Sequence, residues 1–141
     1  MLGSSRTSMQ LLNEAVDAAF NDPELGQAGS DLLSVTDLLT HEKSLRQTLA
    51  DGGLAEADRK AVLQRIVGER ISPLALALAT KAVGLRWSND RDLVDGLELG
   101  GVSALIGQAE KSGTADRVAE ELFRFGRVVD SNGDLQLTLS S

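Results

Sequence analysis

Large apolar side chains recur along this chain at intervals of three and four residues, the spacing of one face of a helix. Between Ser8 and Phe20 the stripe is Leu12, Ala15, Val16 and Ala19, with Asn13, Glu14 and Asp17 opposite, and Asn21-Asp22-Pro23 ends the element. Leu32, Leu33, Val35, Leu38 and Leu39 predict a second helix from about Asp31 to Thr40, with Ser30 as its N-cap. A break at His41-Glu42 leads to a short helix carrying Leu45 and Leu49, and Asp51-Gly52-Gly53 is a turn. From Ala55 to Val67 a fourth helix turns Val62, Leu63, Ile66 and Val67 inward and Glu56, Asp58, Arg59, Lys60 and Arg65 outward, with Gly68 as its stop.

The segment from Ser72 to Leu85 is apolar all the way round, with Lys81 as its single charge, so it is expected to be the central helix, surrounded by the others. Ser72 is suited to cap it and Pro73 to occupy its first turn. It falls short of the roughly 20 apolar residues of a membrane span. Ser88 or Asn89 can cap a sixth helix with Asp90 and Asp92 in its first turn and Leu93, Val94, Leu97, Val102, Leu105 and Ile106 as its apolar positions. Gly96, Gly100, Gly101 and Gly107 each cost about 1 kcal/mol against Ala, which predicts a bend or break near Gly100-Gly101. A further helix from about Thr114 to Val129 carries Val118, Leu122, Phe123, Phe125, Val128 and Val129, and Leu135, Leu137 and Leu139 close the chain.

Sliding the chain over itself by about 90 residues, without a gap, exposes an internal repeat. Leu12, Ala15, Val16 and Ala19 then fall on Val102, Leu105, Ile106 and Ala109, Leu32, Leu33, Val35, Leu38 and Leu39 fall on Leu122, Phe123, Phe125, Val128 and Val129, and Leu45 and Leu49 of the third helix fall on Leu135 and Leu139. Three helices keeping phase across two loops imply duplication. The expected organisation is one helical bundle over residues 1–100 and the first helices of a second, truncated unit over residues 101–141. The stripe Leu122, Phe125, Val129, Leu135 and Leu139 then lacks its own central helix and must fold back onto the first bundle or pair with a second copy. A tethered segment has the higher effective concentration, which favours folding back.

Composition narrows the function. Aromatic residues are 3% and tyrosine is absent, so the core is aliphatic, as helical bundles often are. Cysteine is also absent, which removes disulfides, thiol catalysis and thiolate metal sites. The net charge of −7 opposes binding to a phosphate backbone, so nucleic acid is not an expected partner. The N-terminal segment has no signal-peptide core, and a cytoplasmic chain is expected.

Catalytic and metal chemistry find little support. His41 is the sole histidine and fits a turn or capping role better than a metal site. Asp130-Ser131-Asn132-Gly133-Asp134 resembles the opening of a calcium loop, but the sixth and twelfth positions are Leu135 and Ser141 where glycine and glutamate are required. No glycine-rich phosphate cradle precedes Lys111-Ser112, and the carboxylates fall on solvent faces and in helix first turns. No cofactor, metal or catalytic residue is therefore expected. Arg124 and Arg127 read as a solvated helix face able to meet an acidic partner.

Leu45-Arg46-x-x-Leu49, Ala61-Val62-Leu63-x-x-Ile66-Val67 and Ile71-Ser72-Pro73-x-Ala75-Leu76 together resemble the N-terminal domain of the delta subunit of F-type ATP synthases. Arg86-Trp87-Ser88, Arg91-Asp92-Leu93 and Glu121-Leu122-Phe123-Arg124-Phe125-x-Arg127 are similar to its actinobacterial branch. Ala104-Leu105-Ile106-x-x-Ala109-Glu110-x-x-Gly113 is similar to the family's first-helix motif, which is clear there and not around Met9. The resemblance implies an all-α fold, a six-helix bundle followed here by the helices of the partial repeat. It also implies a non-catalytic component of the peripheral stalk, or stator, on the cytoplasmic side of the membrane and without insertion into it. Its partners would be the N-terminal helix of an alpha subunit, received in a groove between the first and fifth helices, and a b-type stalk subunit. Leu12, Val16, Leu76 and Val83, apolar positions of those two helices, are the candidate anchors. The alternative is a free-standing helical adaptor that homodimerises through its last helices.

Overall fold

The computed structural model describes residues 1–113 and 120–122. Six helices occupy them: α1 Gly3–Ala18, α2 Leu25–His41, α3 Lys43–Leu49, α4 Glu56–Val67, α5 Pro73–Gly84 and α6 Asp90–Ser112. The fold is all-α, as expected. Among the described residues no helix is long and apolar enough to cross a membrane.

Several boundaries follow from local chemistry already visible in the sequence. The Ser72 hydroxyl accepts the Ala75 N–H at 3.3 Å ahead of Pro73, and the Asn89 side chain accepts the Asp92 N–H at 2.9 Å. Asp51 receives the Gly53 N–H at 2.8 Å, which folds the turn between α3 and α4. His41 ends α2 with its Nδ1 donating to the Asp37 carbonyl at 2.8 Å, a C-terminal cap. Gly113 takes a left-handed φ of 78° and closes α6, its N–H directed at the Ala109 and Glu110 carbonyls.

Other expectations are corrected. Helix α1 begins at Gly3 rather than Ser8, and α2 begins at Leu25 rather than near Asp31, which leaves Ser30 exposed within the helix instead of capping it. Asp22 starts α2 by accepting the Glu24 N–H at 2.8 Å, directly after the turn that ends α1. The expected break at Gly100-Gly101 does not occur, and α6 runs for 23 residues through both glycines. Tertiary packing outweighs helix propensity here. A Cβ on Gly101 would lie 3.0 Å from the Gly29 carbonyl oxygen, and one on Gly29 would lie 2.8 Å from the Gly101 oxygen. The two glycines let the backbones of α2 and α6 touch. Gly100 and Gly101 both lie within this one continuous helix.

The centre of the bundle is α6, not α5. Helix α6 buries Leu93, Leu97, Val102 and Ala104 together with its glycines, and it packs most extensively on α2. Helix α5 buries Ala75, Leu78, Ala79, Ala82 and Val83 on one side and leaves Ala77 and Lys81 exposed. Its all-round apolar character comes largely from alanines, whose small side chains forfeit little when left in water. The main core joins these faces to Leu12, Leu32, Leu39, Leu49 and Leu63.

Arg59, expected on the solvent face of α4, is buried. Its guanidinium donates to the carbonyls of Val83 at 2.8 Å, Gly84 at 3.2 Å, Asp51 at 3.2 Å and Leu54 at 2.5 Å. One planar five-donor group thus satisfies the C-terminal carbonyls of α5 and the loop after α3 at once. Arg46 does the same for the end of α2, donating to Leu39 and Thr40 at 3.0 and 3.1 Å while pairing with Asp90 at 2.6 Å. That pair ties α3 to the first turn of α6.

A second, smaller apolar cluster joins Val102 to Leu122, with Leu33, Leu99, Leu105 and Ile106 around them. Leu122 is 9% exposed, so the chain folds back onto the bundle at this residue. The remainder of the expected helix from Thr114 to Val129, Leu135, Leu137 and Leu139, the loop from Asp130 to Asp134, and most of the second repeat unit lie outside the described residues.

Candidate functional site

The start of α1 and the α5–α6 connection meet at a serine latch. Ser5 and Ser8 lie on the inner face of α1, seven and four residues before Leu12, and both are buried. Ser8 donates to the Arg86 carbonyl, and the Ser88 N–H donates to the Ser5 hydroxyl at 2.6 Å. Ser88 Oγ in turn donates to the Leu2 carbonyl at 2.9 Å. These bonds fasten the start of α1 to the α5–α6 connection. Small hydroxyl side chains suit such a junction, because they reach backbone groups without separating the two segments.

The four candidate anchors are placed unequally. Leu12, Val16 and Val83 are 1%, 4% and 0% exposed and belong to the main core, whereas Leu76 is half-buried. A helical position that is apolar and centred on its stripe points to the bundle axis, so the strongest sequence positions are the least accessible ones. The two flanks of α5 face different neighbours. Gly84 lies against the Lys60 and Glu56 side chains of α4, and Leu76 and Thr80 precede it on the same stripe at helical spacing. The opposite flank carries Leu74, Leu78 and Lys81. On α1, Leu11 and Ala15 continue the stripe of Ser4 and Ser8 at helical spacing, and Leu11 is 38% exposed. Leu11, Ala15 and Leu74, which the sequence reading did not select, each keep part of their surface in water.

The electrostatics do not favour acid–base chemistry. Asp90 is held below the ordinary carboxylate range by its hydrogen bond from Arg46, and Glu56 is held low by its hydrogen bond from Lys60. Both shifts stabilise the ionised form, the opposite of what a general acid at neutral pH requires. Among the described residues no three histidine, aspartate or glutamate side chains stand together as a metal site. The arrangement is one of packed helices around an aliphatic core.

No protein-family model matches the chain. The chain is 38% identical over its whole length to the ATP synthase subunit delta of Streptomyces coelicolor, covering 52% of that protein. It is 39% identical to the corresponding subunit of Salinispora arenicola over 97% of the chain and 51% of that protein, and 37% identical to that of Nocardia farcinica over 99% and 53%. The chain thus spans about half the length of the curated relatives it matches. Identity at this level over some 140 aligned positions, on a wholly helical fold, extends the resemblance read from separate motifs to the entire sequence. Over nearly its whole length the chain is similar to about half of an actinobacterial ATP synthase delta subunit.

Proposed function

We propose that the chain is a non-catalytic part of the peripheral stalk of an F-type ATP synthase, on the cytoplasmic side of the membrane, where it links the catalytic head to the stalk by binding partner helices. The observation that carries this reading is the full-length similarity to ATP synthase delta subunits. The α1–α5 groove is the docking site in this proposal, and its occupant is the amphipathic N-terminal helix of an alpha subunit. Leu11, Ala15 and Leu74 meet the incoming apolar face, with Leu12, Val16, Leu76 and Val83 behind and beside them. A b-type stalk subunit is the second partner.

Titrating the isotopically labelled chain with an alpha-subunit N-terminal peptide tests the site. Chemical-shift changes are expected to concentrate on Leu11, Ala15, Leu74 and Lys81, and Leu11→Glu is expected to weaken binding while preserving the fold. Shifts confined to α2 and α3, or an unaltered affinity in a folded Leu11→Glu variant, would refute the site. Retention of the chain by the alpha peptide with no retention by a b-type stalk fragment would remove the second partner.

A further inference from the structure

Helix α1 is anchored unequally along its length. Its second half sets Leu12 and Val16 into the main core, with Ala15 packed beside them. In its first half the buried side chains are Ser5 and Ser8, Met9 is half-buried, and Leu2 just ahead of the helix is 75% exposed. Residues 2–8 are tied to the bundle through hydroxyl groups, by the bonds of Ser8 to the Arg86 carbonyl, of the Ser88 N–H to Ser5 and of Ser88 Oγ to the Leu2 carbonyl. Water replaces a hydrogen bond nearly in kind when such a contact opens, whereas it does not replace apolar burial.

Local sequence adds little to hold this half together. Gly3, Ser4, Ser5, Thr7 and Ser8 are all poor helix formers. Leu2 at the N-cap position makes no side-chain hydrogen bond and the first turn carries no acidic residue, in contrast to Asn89, Asp90 and Asp92 at the start of α6. A helical piece of so few turns has no stability of its own in water, so release from the bundle and loss of helix coincide. Beneath it lies apolar surface. The Trp87 ring packs over Gly96, and the Met9 sulfur closes the same spot from α1, leaving Trp87 7% exposed.

We propose that residues 3–11 form a strap that unwinds as one unit while Leu12 and Val16 keep the rest of α1 seated. Its opening lifts Met9 away and uncovers the notch formed by Trp87 and Gly96, and the latch serines set how often this happens.

Amide hydrogen exchange of the full chain under native conditions tests the strap. Amides of residues 7–11, corrected for their intrinsic rates, are expected to share one opening constant at least about a hundredfold larger than that of Val16, whose exposure requires Leu12 to leave the core as well. Ser8→Ala is expected to raise the constant of residues 7–11 about fivefold and to leave Val16 and α6 unchanged. The sign is diagnostic, because alanine is the better helix former and ordinary end fraying would be slowed by the same substitution. Ser88→Ala lies outside α1 at an exposed position, removes the bond to the Leu2 carbonyl without altering the propensity of the helix, and is expected to act in the same direction. It carries the test where circular dichroism shows Ser8→Ala to be unfolded. Oxidation of Trp87 by N-bromosuccinimide, followed by mass spectrometry, is expected to quicken in parallel. Slower or unchanged exchange at residues 7–11 in folded variants, constants that fall off residue by residue from the N-terminus, acceleration shared by Val16 and α6, or an unaltered rate of Trp87 oxidation would each overturn the proposal.

Discussion

The crossing of α2 and α6 at Gly29 and Gly101 yields a sharp test, because a third glycine, Gly100, adjoins it in sequence and differs from it in surroundings. Alanine within a helix is favoured over glycine by about 0.5–1 kcal/mol when its methyl group meets no obstacle. At Gly100 the new Cβ would be 3.7 Å from Val16 and 3.8 Å from Leu12, ordinary contact distances, so Gly100→Ala is expected to gain about that amount. At Gly29 it would stand 2.8 Å from the Gly101 oxygen and 2.8 Å from Leu105 Cγ, and backbone cannot yield without moving a whole helix. Overpacking of this kind costs about 1–3 kcal/mol, which exceeds the gain in propensity and makes Gly29→Ala destabilising. Gly101→Ala, at 3.0 Å from the Gly29 oxygen and 3.1 Å from Leu33, falls between the two. Urea unfolding followed by circular dichroism at the helix band should rank the proteins Gly100→Ala, wild type, Gly101→Ala, Gly29→Ala from most to least stable. Equal destabilisation by all three substitutions, or a neutral Gly29→Ala, would refute the close crossing.

Arg59→Leu removes the donor shared by four carbonyls and is expected to cost about 2–5 kcal/mol in urea titrations, with a loss under about 1 kcal/mol contradicting its role as a fastener. Asp90 has a folded-state pKa below its ordinary value of 3.8, so its contribution is present above that pH and is lost as pH falls further through the folded value. The stability gap between wild type and Asp90→Asn should therefore be constant well above pH 3.8 and close below it, whereas a gap that widens on acidification would have the wrong sign. Ser8→Ala is expected to lower stability by about 1 kcal/mol by removing the hydrogen bond from this buried hydroxyl to the Arg86 carbonyl, measured in the same titration.

The caps at Ser72 and Asn89 and the turn at Asp51 were legible because each depends on neighbours a few residues away. What covers a helix face is a property of distant residues. The Ser72–Leu85 run looked central since periodicity counts apolar side chains without asking how much surface each hides, and α5 is rich in alanine. Gly100 and Gly101 looked like a break because local propensity holds no information about a helix crossing at Gly29. Arg59 carried no signal either, as its four acceptors come from a loop and from the end of another helix. The choice of α1 and α5 as groove walls came from the family resemblance. Selecting anchors by apolarity, however, returned Leu12, Val16 and Val83, which are committed to the core, beside the half-buried Leu76.

The single tryptophan stands where three helices converge. Trp87 donates its indole N–H to the Ala82 carbonyl at 2.8 Å, and its ring occupies the space above Gly96, with the Met9 sulfur of α1 on the same spot. With no tyrosine in the chain, ultraviolet emission comes from this one indole. Any tilt of α1 away from α6, such as a guest helix would impose by wedging along either side of α1, changes the distance between ring and sulfur and the water around the ring. The protein thus contains its own optical gauge of α1 displacement, readable in an unlabelled sample as a change in emission wavelength and intensity.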